Sequence, residues 1–367
     1  MRRVSLTAVA AGASQLVAEA AIPMSRLPLV ATLGSMLVAC SAAREGAIPA
    51  GAPAASGAAE VAPRSSAAST DVYVANWYDS TVVVYSEGAQ SKLRTITSGV
   101  SYPNALALDK SGTLFVGNFG QPSGSITSSV SVYGPGQSQP QRSIVQGIRG
   151  PYAFTFDSAG KLYVANNGGP WVTVYGRGSN SPSLTITQDV VSPEALALDK
   201  SGNLYVANWG NNTVTVYPPG KTRLLRKIQS GVHTPDSLAI AASGSLYVAN
   251  YHPNSVTVYA PGRKSPSHTI TNGVAAPITV LSAPSNELYV LNRRNNTVSV
   301  YSESTLALLR VISEGIACPT TMAMSSAGLL YVANACPSSI SVYEASGSKP
   351  VRTVKKGLDG PVAIGVR

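Results

Sequence analysis

From Asp71 onward the chain is built of short apolar runs, each four to six residues long, separated by turn-forming residues. Two kinds of run alternate. One reads Tyr-Val-Ala-Asn or a near variant, and the other reads Thr-Val-Thr-Val-Tyr, with side chains alternating at the period of two that marks a half-buried strand. The closing Asn of the first kind recurs at Asn76, Asn118, Asn166, Asn208, Asn250, Asn292 and Asn334, every 42 residues except for one 48-residue interval. Self-similarity at that period, made of short strands, predicts a four-stranded propeller blade repeated around an axis.

Residues 195 to 228 serve as a template. They predict a first strand over Ala195–Asp199, a turn at Gly202, a second strand over Leu204–Asn208, and a tight connection over Gly210–Asn212. A third strand follows over Thr213–Tyr217, then a Pro-Gly turn and a fourth strand ending near Ile228. The first copy begins at a second strand, Asp71 to Asn76, whereas the chain ends on an isolated first strand, Val362 to Val366. Joining the two gives seven complete blades. The predicted fold is all-β, a seven-bladed propeller of four antiparallel strands per blade over residues 71–367, with the C-terminal strand closing the ring in the N-terminal blade.

Ahead of the repeats, Met24-Ser25-Arg26 precede an apolar run from Leu27 to Ala39, the layout of a secretory signal and too short for a spanning helix. Residues 1–39 read as that signal, with Met24 as an alternative start. Residues 41–70 are dominated by Ala, Gly, Ser and Pro without periodicity, the composition of a tether. The net charge is +10, and many of the cations fall on fourth strands or the turns before them, among them Arg94, Arg142, Arg226, Arg310 and Arg352. Lys and Arg on an outer strand discourage pairing between molecules, although an anionic partner gives the same signature. No nucleophile motif, Gly-rich phosphate loop or zinc spacing is present, and nothing points to nucleic acid.

These features carry two resemblances. Leu37-Val38-Ala39-Cys40 resembles the lipobox of bacterial lipoproteins, which implies lipidation at Cys40 and a tether over residues 40–70, with Ser41 resembling the outer-membrane sorting signal. The repeat resembles the YVTN family of propellers, with Ala in place of that family's Thr, and more loosely the NHL and virginiamycin-lyase-like propellers. Such families include binding, surface and enzymatic members, so the likeness selects no function.

The seven copies act as an internal control: a residue present in every blade is most simply structural. The recurrent Asn is read as a strand-end residue bonding its own backbone in left-handed geometry. Asp109, Asp157 and Asp199, each followed three residues later by Gly, are read as Asx-turns. Positions that differ between blades are the candidate site. In propellers generally, the loop between second and third strands shares a face with the connection from one blade to the next. There the chain gathers Trp77, Tyr78, Tyr102, Asn104, Phe119, Tyr152, Trp171, Trp209 and Tyr251, a set suited to ligand or protein recognition, although exposed aromatics also merely cover blade tops.

Resemblance to gluconolactonase-like and lyase-like propellers implies a divalent cation held by carboxylates, amides and a His. Glu194 and Asp236, with Asn104 and His233 or His252, are the only residues able to imitate that set. Cys318 and Cys336 flank the first two strands of one blade, and an oxidising compartment would permit a disulfide between them. Three functions follow from these readings. The first is an exported, membrane-anchored binding or scaffold module for a protein or glycan of the cell envelope, with no cofactor; the others are a metal-dependent lactonase-like or lyase-like enzyme, and an architectural envelope protein.

Overall fold

The computed structural model describes residues 71–120 and 127–366. The signal segment, Cys40 and the tether lie outside the described residues. Seven four-stranded antiparallel sheets account for the fold, and in six of them the strands run in chain order from the first to the fourth. The seventh, blade one, is assembled from both ends of the chain: Pro361–Gly365 pairs with Val72–Asn76, followed by Thr81–Tyr85 and Lys92–Ile96. Blade four matches the template at Leu204–Asn208, Thr213–Tyr217 and Arg226–Ile228.

Second strands are buried on both faces because neighbouring blades cover each side, which is why they read Leu-Tyr-Val-Ala-Asn with no polar residue before the last. In six blades the fourth residue is Ala or Gly, which lets the next blade's first strand come close, whereas blade six has Leu291 there. In blade two it is Gly117, since a Cβ there would stand 2.7 Å from the Phe154 ring of blade three.

Polar ties add to the apolar clusters that neighbouring blades share. Each third strand ends in a Tyr whose hydroxyl donates to a backbone carbonyl of the connection leading into that blade: Tyr133 to Ser98, Tyr175 to Gln146, Tyr217 to Gln188, Tyr259 to Ser230, Tyr301 to Asn272 and Tyr343 to Glu314. Tyr85 does the same with Lys356 across the ring closure, at 2.7 Å. Burial drives several of these phenols up to about 12, Tyr217 and Tyr343 among them.

The recurrent Asn is structural in a way that differs from the strand-end reading. Asn208 is extended, with φ −104°, and the Oδ1 of each Asn accepts from the incoming connection, while Nδ2 of Asn166, Asn208 and Asn292 donates to the carbonyl two residues earlier in its own strand. Asn292 Oδ1 accepts from Ala275 N at 3.0 Å, and its Nδ2 donates to Gly273 O at 3.1 Å and to Thr297 and Ser299. The same Oδ1 bond, to the backbone N–H 17 residues earlier, recurs in blades two to seven, and Asn76 makes its equivalent to Asp359. A buried amide satisfied on both ends locks its loop, because no water is available to replace either partner. The Asp109, Asp157 and Asp199 side chains each accept from the N–H two and four residues on, as Asx-turns do.

On the rim, the fourth-strand arginines do more than keep edges apart. Arg94, Arg226 and Arg310 lie over the rings of Tyr73, Tyr205 and Tyr289, at 5.8, 5.5 and 5.7 Å.

Candidate functional site

Both kinds of loop do share one face. In every blade the N–H of the residue after the recurrent Asn donates to the carbonyl of the residue before the first-strand Pro, as in Trp77 to Gly360, Phe119 to Tyr102 and Trp209 to Ser192. That acceptor residue has positive φ all round the ring, including Tyr102 at 46°, Ser192 at 45°, Thr234 at 43° and Cys318 at 46°. A left-handed backbone that recurs in all seven blades belongs to the architecture, not to a site.

The first strands begin at Pro103, Pro151, Pro193, Pro235, Pro277, Pro319 and Pro361, two residues before the positions the sequence pattern marks in six blades and one residue before Val362 in blade one. The extra residues carry a β-bulge each time: Pro193 pairs with Asn208 and Ala195 with Ala207, so Glu194 stands outside the ladder. Asn104, Tyr152, Asp236, Ile278 and Thr320 are the bulge residues of their blades, with Val362 in blade one. A bulge re-aims the side chain of its extra residue. Thus one fixed piece of backbone presents seven different side chains around the inner mouth of the ring.

A second set of variable positions follows the recurrent Asn: Trp77, Phe119, Asn167, Trp209, Tyr251, Arg293 and Ala335. One of them spans to the bulge of the next blade: Asn167 Nδ2 donates to Glu194 Oε1 at 3.0 Å. Neighbours in this set also meet. The rings of Trp77 and Phe119 are 6.0 Å apart, and Tyr102 stands edge-on to Trp77 at 5.4 Å. Trp77 is only 8% exposed, so it forms the floor of this cluster, whereas Tyr78 is 52% exposed beside Gly360, where its ring leaves no room for a Cβ. Tyr251 stacks edge-on against His252 at 4.8 Å.

Trp171 does not belong to this surface. It opens the third strand of blade three, where other blades carry Thr or Ser, and its Nε1 donates to Gly147 O at 2.9 Å. That carbonyl corresponds to Gly231, Gly273 and Gly315, which accept from the recurrent Asn instead. Trp171 thus takes over an interblade tie, and its alignment with the Thr or Ser that opens the third strand elsewhere is the sequence signal that sets it apart from Trp77 and Trp209.

Charge at the mouth is uneven. Glu194 and Asp236, on adjacent blades, are each 5% exposed. Burial and then the carboxylate of Asp359 hold the Asp79 carboxyl above its usual range. His233 and His252 are exposed, and among the described residues no three His, Cys, Asp or Glu side chains gather as a metal would require. Cys318 and Cys336 are joined by a disulfide on this face, with Cα atoms 5.4 Å apart.

No family model and no curated protein matches the chain. Solved structures do share its fold. A proposed 6-phosphogluconolactonase from Bacteroides uniformis is 14% identical, with TM-score 0.64 over 80% of this chain and 98% of that one. A protein of unknown function from Desulfotomaculum acetoxidans is 17% identical, with TM-score 0.66 over 81% and 99%. The computationally designed protein Ika8 is 15% identical, with TM-score 0.59 over 80% and 86%. At such identities the likeness is one of fold alone.

Proposed function

We propose that this chain is an exported, lipid-anchored propeller that binds a glycan or protein partner of the cell envelope across its mouth. The observation that carries this reading is the contrast within each blade. Invariant Asn and Tyr residues hold one loop geometry, while the bulge and the position after the Asn bear a different side chain in almost every blade. The aromatic ones are grouped, with Trp77, Tyr102 and Phe119 in contact over blades one and two and Tyr152 on the next bulge. Rigid aromatic surface offers contact area at low entropic cost, which suits sugar rings and protein side chains. Tyr78→Ala and Phe119→Ala should weaken capture of envelope partners at least about tenfold, as expected for aromatic anchors, without moving the unfolding transition. Unchanged capture by both variants overturns the reading.

A hydrolytic reading retains one specific support, the Asn167–Glu194 hydrogen bond beside Asp236 at the inner mouth. Glu194→Gln would abolish lactone hydrolysis if that reading held. Elemental analysis of the purified chain would then find a stoichiometric divalent ion.

A further inference from the structure

A row of three cross-strand partners repeats along the outer edge of the ring. It runs Tyr73, Val84, Arg94 in blade one, Tyr205, Val216, Arg226 in blade four and Tyr289, Val300, Arg310 in blade six. In each the arginine lies over the tyrosine ring and donates to its hydroxyl. Arginines of this position also reach the next blade, where the turn between third and fourth strands supplies a carbonyl: Ala345 O for Arg310, Gly88 O for Arg352 and Ser179 O for Arg142. A guanidinium is thus the protein's usual bridge across a blade seam.

Blade five keeps the row without the arginine. Tyr247 pairs with Val258, and Val258 pairs with His268, whose side chain is exposed. On the facing turn of blade six, Glu303 stands two residues after Tyr301, as Ala345 stands after Tyr343 in blade seven. Burial first, and then the charge of Glu303, push the Tyr247 phenol up to about 12, so this carboxylate lies near the hydroxyl. Glu303 Oε1 is buried and has no hydrogen-bond partner among the described residues. Its turn is held in place, with Glu303 N donating to Asn286 O at 2.9 Å and Leu306 N to Ser302 O at 2.8 Å. At the same seam a cleft of about 220 Å³ opens, lined by His268, Asn272, Tyr301, Leu306 and Leu308 among others. A buried carboxylate oxygen without a donor costs free energy that a bound donor recovers.

We propose that the seam between blades five and six is a binding site for a guanidinium group, which enters at this cleft and donates to the Glu303 carboxylate and the Tyr247 hydroxyl as the protein's own arginines do in sibling blades. The donor set selects this chemistry. One carboxylate and one phenol are too few oxygens for a metal ion, and no three His, Cys, Asp or Glu side chains gather among the described residues. A neutral amide would leave the carboxylate charge uncompensated. A lysine ammonium is a compact point charge, whereas a guanidinium presents a planar fork that serves two acceptors at once. The site lies on the outer edge, apart from the mouth, and stands whether or not the mouth binds a partner.

The test is calorimetric titration of the purified full chain with N-acetyl-arginine amide, its citrulline and lysine counterparts, and agmatine. The arginine compound or agmatine should bind at least about tenfold tighter than the citrulline and lysine compounds, and which of the two binds more tightly tells a peptide side chain from a free guanidine. Glu303→Gln should erase that preference. His268→Arg should supply the guanidinium from within the chain and so remove the binding. A preference that survives either variant, or equal binding of the arginine compound and its citrulline or lysine counterpart, overturns the site. Binding of none of the compounds overturns it too, even where His268→Arg raises the thermal midpoint, since the seam would then be a structural contact only.

Discussion

Asn292 and Arg293 are consecutive in the chain and opposite in what they do. The first is fully buried, with both ends of its amide bonded to a preceding connection, and it has a counterpart in every blade. The second is partly exposed, its side chain has no partner among the described residues, and its counterparts are Trp77, Phe119, Asn167, Trp209, Tyr251 and Ala335. One backbone step separates the layer that holds the ring together from the layer that differs round the ring. Burial explains the difference: a polar group inside must have its partner supplied by the protein, and one at the surface is free to vary.

Removing ring closure should have the largest effect on this contrast. Deletion of residues 358–367 strips blade one of its inner strand and of the Gly360 carbonyl that holds Trp77 N. A single cooperative unfolding transition should be lost, as followed by circular dichroism against temperature. Next comes the paired substitution at the two layers. Asn292→Ala leaves several buried groups unpaired and should cost about 3 kcal/mol in denaturant unfolding, whereas Arg293→Ala should stay within about 0.5 kcal/mol. Comparable losses at both would erase the distinction.

The two tryptophans of blades three and four sharpen it further. Trp171→Phe leaves the Gly147 carbonyl without its donor and should destabilise by about 1 to 2 kcal/mol. Trp209 Nε1 is buried with no acceptor, so Trp209→Phe should change stability by less than about 0.5 kcal/mol or raise it slightly. The interblade tyrosines add a pH-dependent test of the same layer. Burial raises the pKa of all of them, at Tyr85, Tyr133, Tyr217 and Tyr343 from 10.0 to about 12, so the neutral phenol is the favoured form. Their contribution is fully present below pH 10 and is lost as pH climbs toward 12. Stability should accordingly be level from neutral pH to about 10 and fall above it. Tyr217→Phe should cost about 1 kcal/mol at neutral pH and shave the alkaline slope.

Much of this was legible without coordinates. Seven copies of a strand-ending Asn at a 42-residue period required seven sheets, and the mismatch between a chain that starts on a second strand and one that ends on a first strand required closure from both termini. Such features are local or periodic, and hydrophobic alternation with turn chemistry encodes them directly. The mouth was legible only as a set of variable positions. Apart from the alignment of Trp171, which aromatics would be tied between blades was not legible, and the recurrent Asn bonds its own backbone, as read, only at Asn166, Asn208 and Asn292, its left-handed geometry being replaced by an extended one at Asn208.

What the tertiary structure alone decided was the partner of each side chain. Asn76 donates to Gly357 O, 281 residues away along the chain, and Tyr85 to Lys356 O, 271 away. The bulges that set Glu194 and Asp236 outside the ladder each follow a Pro and a left-handed residue, Ser192 or Thr234, whose carbonyl accepts from the residue after the recurrent Asn. The sequence by itself determined how many blades there are and where the ring closes, because repetition is written along the chain. Which residues serve as ties and which face the mouth was settled by contacts across blade boundaries, where distance in space has no relation to distance in sequence.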